Sequence, residues 1–156
     1  MSTIADALSK NGVAMYIRQT DLFWGLNQSV VNRVMGIARR EAFAQGDVLF
    51  RSGDTARHLF ILAQGKVKII LGESGTDVYT GTRVGEAFGW GSLIDRNTYG
   101  GSAICASPVV VLKFERDRLL QLLDSDIQSG YLFFKHLSRA LGERLMQAYQ
   151  QMAGSQ

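Results

Sequence analysis

Between Glu41 and Phe114 the chain is written in strand-like pieces of about three to six residues, and a turn signal cuts each one before a helix could run its course. The pieces fall at about 42–44, 48–51, 58–63, 66–71, 77–80, 102–106 and 109–114. Between them stand Gln45-Gly46-Asp47, Ser52-Gly53-Asp54, Gln64-Gly65, Gly72-Glu73-Ser74-Gly75 and Ser107-Pro108. Short strands with no helices between them cannot make a parallel sheet, which needs long crossovers, so the region predicts an antiparallel sandwich or barrel. In Val67-Lys68-Ile69-Ile70-Leu71 the odd positions are expected to face the core and Lys68 the solvent.

The flanks read differently. Residues 3–10 predict a short helix, and Asp21-Leu22-Phe23-Trp24-Gly25-Leu26 an apolar knuckle. A second helix is capped by Asn27 or Ser29 and carries Val30, Val31, Val34 and Ile37 on one face. After Phe114, Glu115-Arg116-Asp117 opens a short helical piece bearing Leu119, Leu120, Leu122 and Leu123, and Asp124-Ser125-Asp126 caps a longer one. On it Phe134, Leu137, Leu141, Leu145, Ala148 and Met152 recur at intervals of 3, 4, 4, 3 and 4 residues. A seam on a helix of some 25 residues, about 1.5 Å each, outruns one small domain and predicts a homodimer. The division is therefore an N-terminal helical segment 1–40, a β region 41–114 and hinge and dimerisation helices 115–156.

At 156 residues the chain fits one domain, and a formal charge of +3 with 46% hydrophobic residues marks an ordinary globular composition. Arg39-Arg40, Lys66, Lys68, Arg116 and Arg118 are scattered and do not form a nucleic-acid stripe. The single cysteine, Cys105, excludes a disulfide within the chain and reads as a buried spectator thiol. The N-terminal residues contain no run long enough for a signal sequence or a span, so a cytoplasmic protein without a membrane partner is expected.

One segment carries chemistry. Val84-Gly85-Glu86-Ala87-Phe88-Gly89-Trp90-Gly91-Ser92-Leu93-Ile94, followed by Thr98-Tyr99-Gly100-Gly101-Ser102-Ala103, has the glycines to turn sharply and approach a ligand closely. Leu93-Ile94 suggests the start of a short helix, whose N–H groups would favour an anion. The segment nevertheless holds no cation; Asp95 and Arg96 lie just beyond the helical turn. Candidate pocket residues are Phe88, Gly89, Trp90, Gly91 and Ser92 from its first half, with Tyr99, Gly101, Ser102 and Ala103 from its second.

Taken in order, Leu22-Phe23 with Leu26, Gly46-Asp47-Val48-Leu49-Phe50 with Gly53-Asp54, Leu59-Phe60-Ile61-Leu62 with Gly65-Lys66-Val67, and Gly85-Glu86-Ala87-Phe88-Gly89 resemble the cyclic-nucleotide-binding domain of the catabolite-activator and protein-kinase-A regulatory-subunit families. The resemblance covers about residues 20–150. It implies a mainly β fold: an antiparallel β-roll of jelly-roll, or double-stranded β-helix, type with N-terminal helices and a long C-terminal helix. It also implies that the glycine segment, 84–103, is a phosphate-binding cassette. Two departures stand out. The family's ribose-binding glutamate follows Phe-Gly, where this chain has Trp90, and its phosphate-binding arginine precedes the small hydroxyl residue, where this chain has Gly101. A charge-assisted hydrogen bond is worth roughly 1.5–3 kcal/mol, so loss of the arginine alone weakens a cyclic nucleotide by about 10- to 150-fold. Trp90 either fills the pocket or offers a stacking face. Tyr99 either lines the pocket or packs beneath the loop, Arg96 is read as a solvated loop residue, and Glu86 as a turn or cap.

These readings constrain function. In the catabolite-activator type a helix-turn-helix follows the dimer helix, whereas here Ala153-Gly154-Ser155-Gln156 follows it directly, so no direct DNA binding is expected. A cupin-like metalloenzyme would need two or three histidines on neighbouring strands, and the chain has His58 and His136 alone. The expectation is a non-catalytic regulatory module, sensor or adaptor, acting on an unknown effector protein, with no firm cofactor. Three states of the cradle stay open: weak cyclic-nucleotide binding, a different small anionic, nucleotide-like or aromatic ligand, or no ligand at all.

Overall fold

The computed structural model describes residues 17, 20–71, 76–81, 83–94 and 97–154, with backbone alone at 76–79. The helix expected at 3–10 and Arg96 lie outside the described residues. A 3-10 turn, Asp21–Phe23, precedes helix α1, Gln28–Ile37. Strands β1 Arg39–Phe43, β2 Val48–Phe50, β3 His58–Gln64 and β4 Val67–Leu71 follow, then β5 Thr76–Gly81 and β6 Ala87–Phe88. A second 3-10 turn, Trp90–Leu93, leads to β7 Ser102–Cys105, β8 Val109–Glu115, and helices α2 Arg116–Asp124 and α3 Ile127–Gly154. No helix among the described residues is long and apolar enough to cross a membrane.

The strands make two four-stranded sheets, ordered β1-β8-β3-β6 and β2-β7-β4-β5, and every pairing between strands is antiparallel. This is the antiparallel β-roll that the turn spacing and the resemblance imply. The central strands explain its layering. On β3, Phe60 and Leu62 join the cluster between the sheets, with Phe50, Val67, Ala103, Cys105 and Val111, while Leu59 and Ile61 face the helices. β8 divides likewise, Val109 and Val111 inward and Leu112 and Phe114 toward the helices. A strand buried on both faces reads as a continuous apolar run, which is how His58-Leu59-Phe60-Ile61-Leu62-Ala63 reads.

The helices close the second core. Asn27 caps α1, its side chain accepting from Ser29 N at 2.8 Å, and Val30 and Val34 point inward. Leu119 and Leu123 of α2 meet Phe133 and Leu137 of α3 in the same cluster. A Cβ on Gly130 would stand 2.7 Å from the Leu123 carbonyl oxygen, so glycine permits the close α2–α3 approach. Asp126 accepts from the Ser129 hydroxyl at 2.5 Å at the start of α3.

Several boundaries and faces move from the sequence expectation. β1 begins at Arg39, inside the segment expected to be helical, because Arg39 and Arg40 extend the ladder against Lys113 and Leu112. The two-residue β6 is too short to show a period in the sequence. The register shift beside Ile69 and Ile70 puts the extra residue on β5, while β4 stays regular against β7; Val67 is buried, but Leu71, at the end of β4 on the cavity wall, is 46% exposed. On α3 the expected seam is divided. Leu137 is only 2% exposed and belongs to the domain's own core, because it shares the inward face of α3 with Phe133. Phe134 and Leu141 pack on the edge of that core, whereas Leu145 and Met152 are exposed.

Candidate functional site

The glycine segment is fastened to β3 from both sides. Gly85 N donates to Leu62 O at 2.7 Å and Leu62 N to Glu86 O at 2.8 Å. Gly89 adopts φ 74°, and a Cβ there would meet the His58 carbonyl oxygen at 2.9 Å, so only glycine fits both the left-handed backbone and the gap. The 3-10 turn starts immediately after it, at Trp90, four residues before Ile94. Ser92 closes that turn, its hydroxyl donating to Gly89 O at 2.8 Å, and is fully buried.

Beside this turn lies a cavity of about 820 Å³. Its inner wall is aromatic and aliphatic: Phe50, Ile69, Leu71, Phe88, Trp90 and Tyr99. The backbone wall is Gly89, Gly91, Gly100 and Gly101, and Thr80 adds a hydroxyl. The remaining wall is the last third of α3, through Arg144, Gln147, Ala148 and Gln151. Of the expected pocket residues, Phe88, Gly89, Trp90, Gly91, Tyr99 and Gly101 come together here. Three do not. Ser92 turns inward, Ser102 accepts from Ser52 N at 2.9 Å, and Ala103 is buried between the sheets.

Tyr99 does both things the sequence left open. Its ring stacks on Phe50 at 4.0 Å between centroids while lining the cavity, and its hydroxyl donates to His58 O at 2.8 Å and accepts from His58 N at 3.1 Å. Burial pushes the phenol above its ordinary value, with the hydrogen bond from the His58 backbone N–H opposing. His58 is pushed below its ordinary value by burial and then by the Lys113 charge. It heads β3, whereas His136 sits on α3 with Nε2 2.9 Å from the Trp24 carbonyl oxygen. Cys105 is 1% exposed and its thiol is raised by burial, as a spectator would be.

Arg144 is the charged side chain at the cavity that sequence reading missed. Its Nη2 donates to Ala87 O at 2.6 Å and lies 3.5 Å from Glu86 Oε2, and its guanidinium stands 5.5 Å from the centre of the Phe88 ring. Among the described residues that line the cavity it is the one charged side chain. Glu86 is the turn residue expected, its Oε1 accepting from Arg83 N at 3.0 Å, and it also ties the turn to α3. A signal was present. The face of α3 that carries Phe133 and Leu137 continues through Arg144, Gln147 and Gln151, and an inward face that turns from apolar to polar marks a cavity wall.

Three comparisons bear on this arrangement. The profile of the cyclic nucleotide-binding domain matches residues 40–126, more than half of the chain. The cyclic AMP receptor protein of Thermus thermophilus is 28% identical over 134 residues, which cover 85% of this chain and 60% of that protein; the chain spans about three-fifths of that relative's length. The catabolite activator protein of the same organism superposes with a TM-score of 0.67 at 27% identity, covering 86% of this chain and 62% of that one. A cyclic nucleotide-binding domain from Methylobacillus flagellatus superposes more closely, with a TM-score of 0.79 over 95% of this chain and 84% of that one, at 20% identity. With the roll, the glycine turn against β3 and the cavity between them in place, the chain belongs to the cyclic nucleotide-binding domain family.

Proposed function

We propose that the chain is a non-catalytic regulatory module, a sensor or adaptor, whose roll pocket takes a small ligand other than the usual cyclic mononucleotides and whose α3 conveys occupancy to an effector protein. The observation that carries this reading is the cavity wall itself. Trp90 and Gly101 both line it, at the positions where the family resemblance puts the ribose glutamate and the phosphate arginine. The wall leaves little room to restore the second. A Cβ on Gly101 would lie 3.1 Å from both Ile70 O and Leu71 Cδ2. The same α3 supports homodimerisation, since Ile127, Tyr131, Leu145, Tyr149 and Met152 are each more than half exposed. In a helix of 28 residues, about 42 Å long, they form with Phe134 and Leu141 a series spaced by 4, 3, 7, 4, 4 and 3 residues, a stripe on one side of the helix.

The test is calorimetry with cyclic AMP, cyclic GMP and cyclic dinucleotides on the unaltered chain, beside Trp90→Glu combined with either Gly101→Arg or Gly100→Arg. A Cβ on Gly100 meets nothing within 4 Å, so the second variant brings an arginine to the wall without a backbone clash. The unaltered chain is expected to show no micromolar cyclic AMP binding, and the Gly100 variant a gain of at least about tenfold from the restored charge. Micromolar cyclic AMP binding by the unaltered chain would refute the weakened site and favour a cyclic-nucleotide sensor with divergent contacts.

A further inference from the structure

We infer that the roll pocket takes a planar apolar carboxylate: an aromatic body held among Phe50, Phe88, Trp90 and Tyr99, with its carboxylate paired to Arg144 in exchange for Glu86. The inference deepens the small-ligand reading above and rests on it. The body follows from the wall, because aromatic faces bind flat apolar groups and the described residues of the inner wall carry no charge. The head follows from Arg144. Its guanidinium stands over the Phe88 ring, and among the described residues it is the one cation on the cavity wall. A guanidinium presents five donors in a fork matched to a carboxylate, so an incoming carboxylate competes directly with the Glu86 carboxylate for the same group. A ribose and its cyclic phosphate match the inner wall less well, because Phe50, Ile69, Leu71, Phe88 and Trp90 offer sugar hydroxyls no hydrogen-bond acceptor. The exchange also has a mechanical result. Arg144 joins α3 to Glu86 and Ala87, so a ligand that takes the guanidinium loosens α3 from the glycine turn.

The test uses two probes of the same shape, 1-naphthaleneacetate and its neutral amide, 1-naphthaleneacetamide, titrated by calorimetry into the full chain. The acetate is expected to bind about tenfold or more tighter than the amide. Arg144→Leu should abolish that ratio and leave amide binding within about twofold, and Arg144→Lys should restore part of it. Glu86→Gln should tighten the acetate severalfold without moving the amide, which a merely structural role for the pair would not produce. Equal affinities for the two probes, or a ratio that survives Arg144→Leu in a chain that unfolds at its normal temperature, would overturn the carboxylate assignment and leave the small-ligand reading standing. Binding of neither probe, with no variant changing that, would overturn both.

Discussion

Tyr99 holds the floor of the cavity by a ring contact and two hydrogen bonds to a single residue, and the chemistry of its hydroxyl makes that arrangement depend on pH. The bond to His58 O requires the phenolic proton; the bond from His58 N does not. Burial raises the Tyr99 pKa above the ordinary 10.0, and a raised folded-state value means stability that is complete below 10.0 and lost as pH climbs through the folded value. Tyr99→Phe keeps the stack on Phe50 but leaves the His58 N–H and C=O at the head of β3 without their partner. It is expected to cost about 1–3 kcal/mol in urea denaturation at pH 7. The variant should then lose less stability than the parent between pH 9 and 11; an identical alkaline slope would show that Tyr99 does not titrate in that window. At this scale the sequence was informative about the cassette, since Trp90 and Gly101 are read directly as departures. It marked Arg144 as part of an inward face of α3 but not what that side chain meets: Glu86, and Ala87, which is 57 residues away in the chain, a pairing no local pattern encodes.

Helix α3 serves two faces at once, which is why its seam was only partly legible. A spacing of three and four residues marks apolar positions without saying which side each one faces. Leu137 and Leu141 look alike in sequence, yet Leu137 is packed beside Phe133 and Leu141 sits at the boundary. What separates them is the direction of the domain beneath α3, fixed by the Gly130 approach to Leu123 and not by the helix itself. The strands were read better, because turn chemistry marks their ends, and the exceptions are the places where pairing is set from elsewhere: β6 on β3, and the shifted register of β4 on β5. The exposed side of α3 is the element to test. Leu145 is 51% exposed, so Leu145→Glu loses little within the protomer but places a charge in the seam of a dimer. Sedimentation is expected to show the unaltered chain as a dimer and Leu145→Glu as a monomer with an unchanged unfolding midpoint. A dimer that persists in the variant would take this face out of the interface.

Across the molecule, α3 has a well-anchored beginning and an end held by few groups. Its first three turns sink Ser129, Phe133, His136 and Leu137 into the protein. Beyond them Leu141 packs on the edge of the core, and Arg144 adds a polar tie to the roll, its guanidinium reaching Ala87 and Glu86 of the glycine turn and its side chain lining the cavity. Because local opening follows the local density of buried contacts, the two halves of one continuous helix should open with different free energies. A single guanidinium that ties the second half to Glu86 and Ala87 should also make those two regions open together. Arg144→Ala is therefore expected to raise amide hydrogen exchange in residues 141–151 and in 85–88 at the same time, while 127–137 keeps its protection. Mass spectrometry of peptides from the intact, exchanged protein reads all three segments in one experiment. Faster exchange spread evenly along α3 would mean that the mutation loosens the whole helix. A change confined to 141–151 would mean that the glycine turn is held independently, and that occupancy of the cavity has no route through Arg144 to the helix.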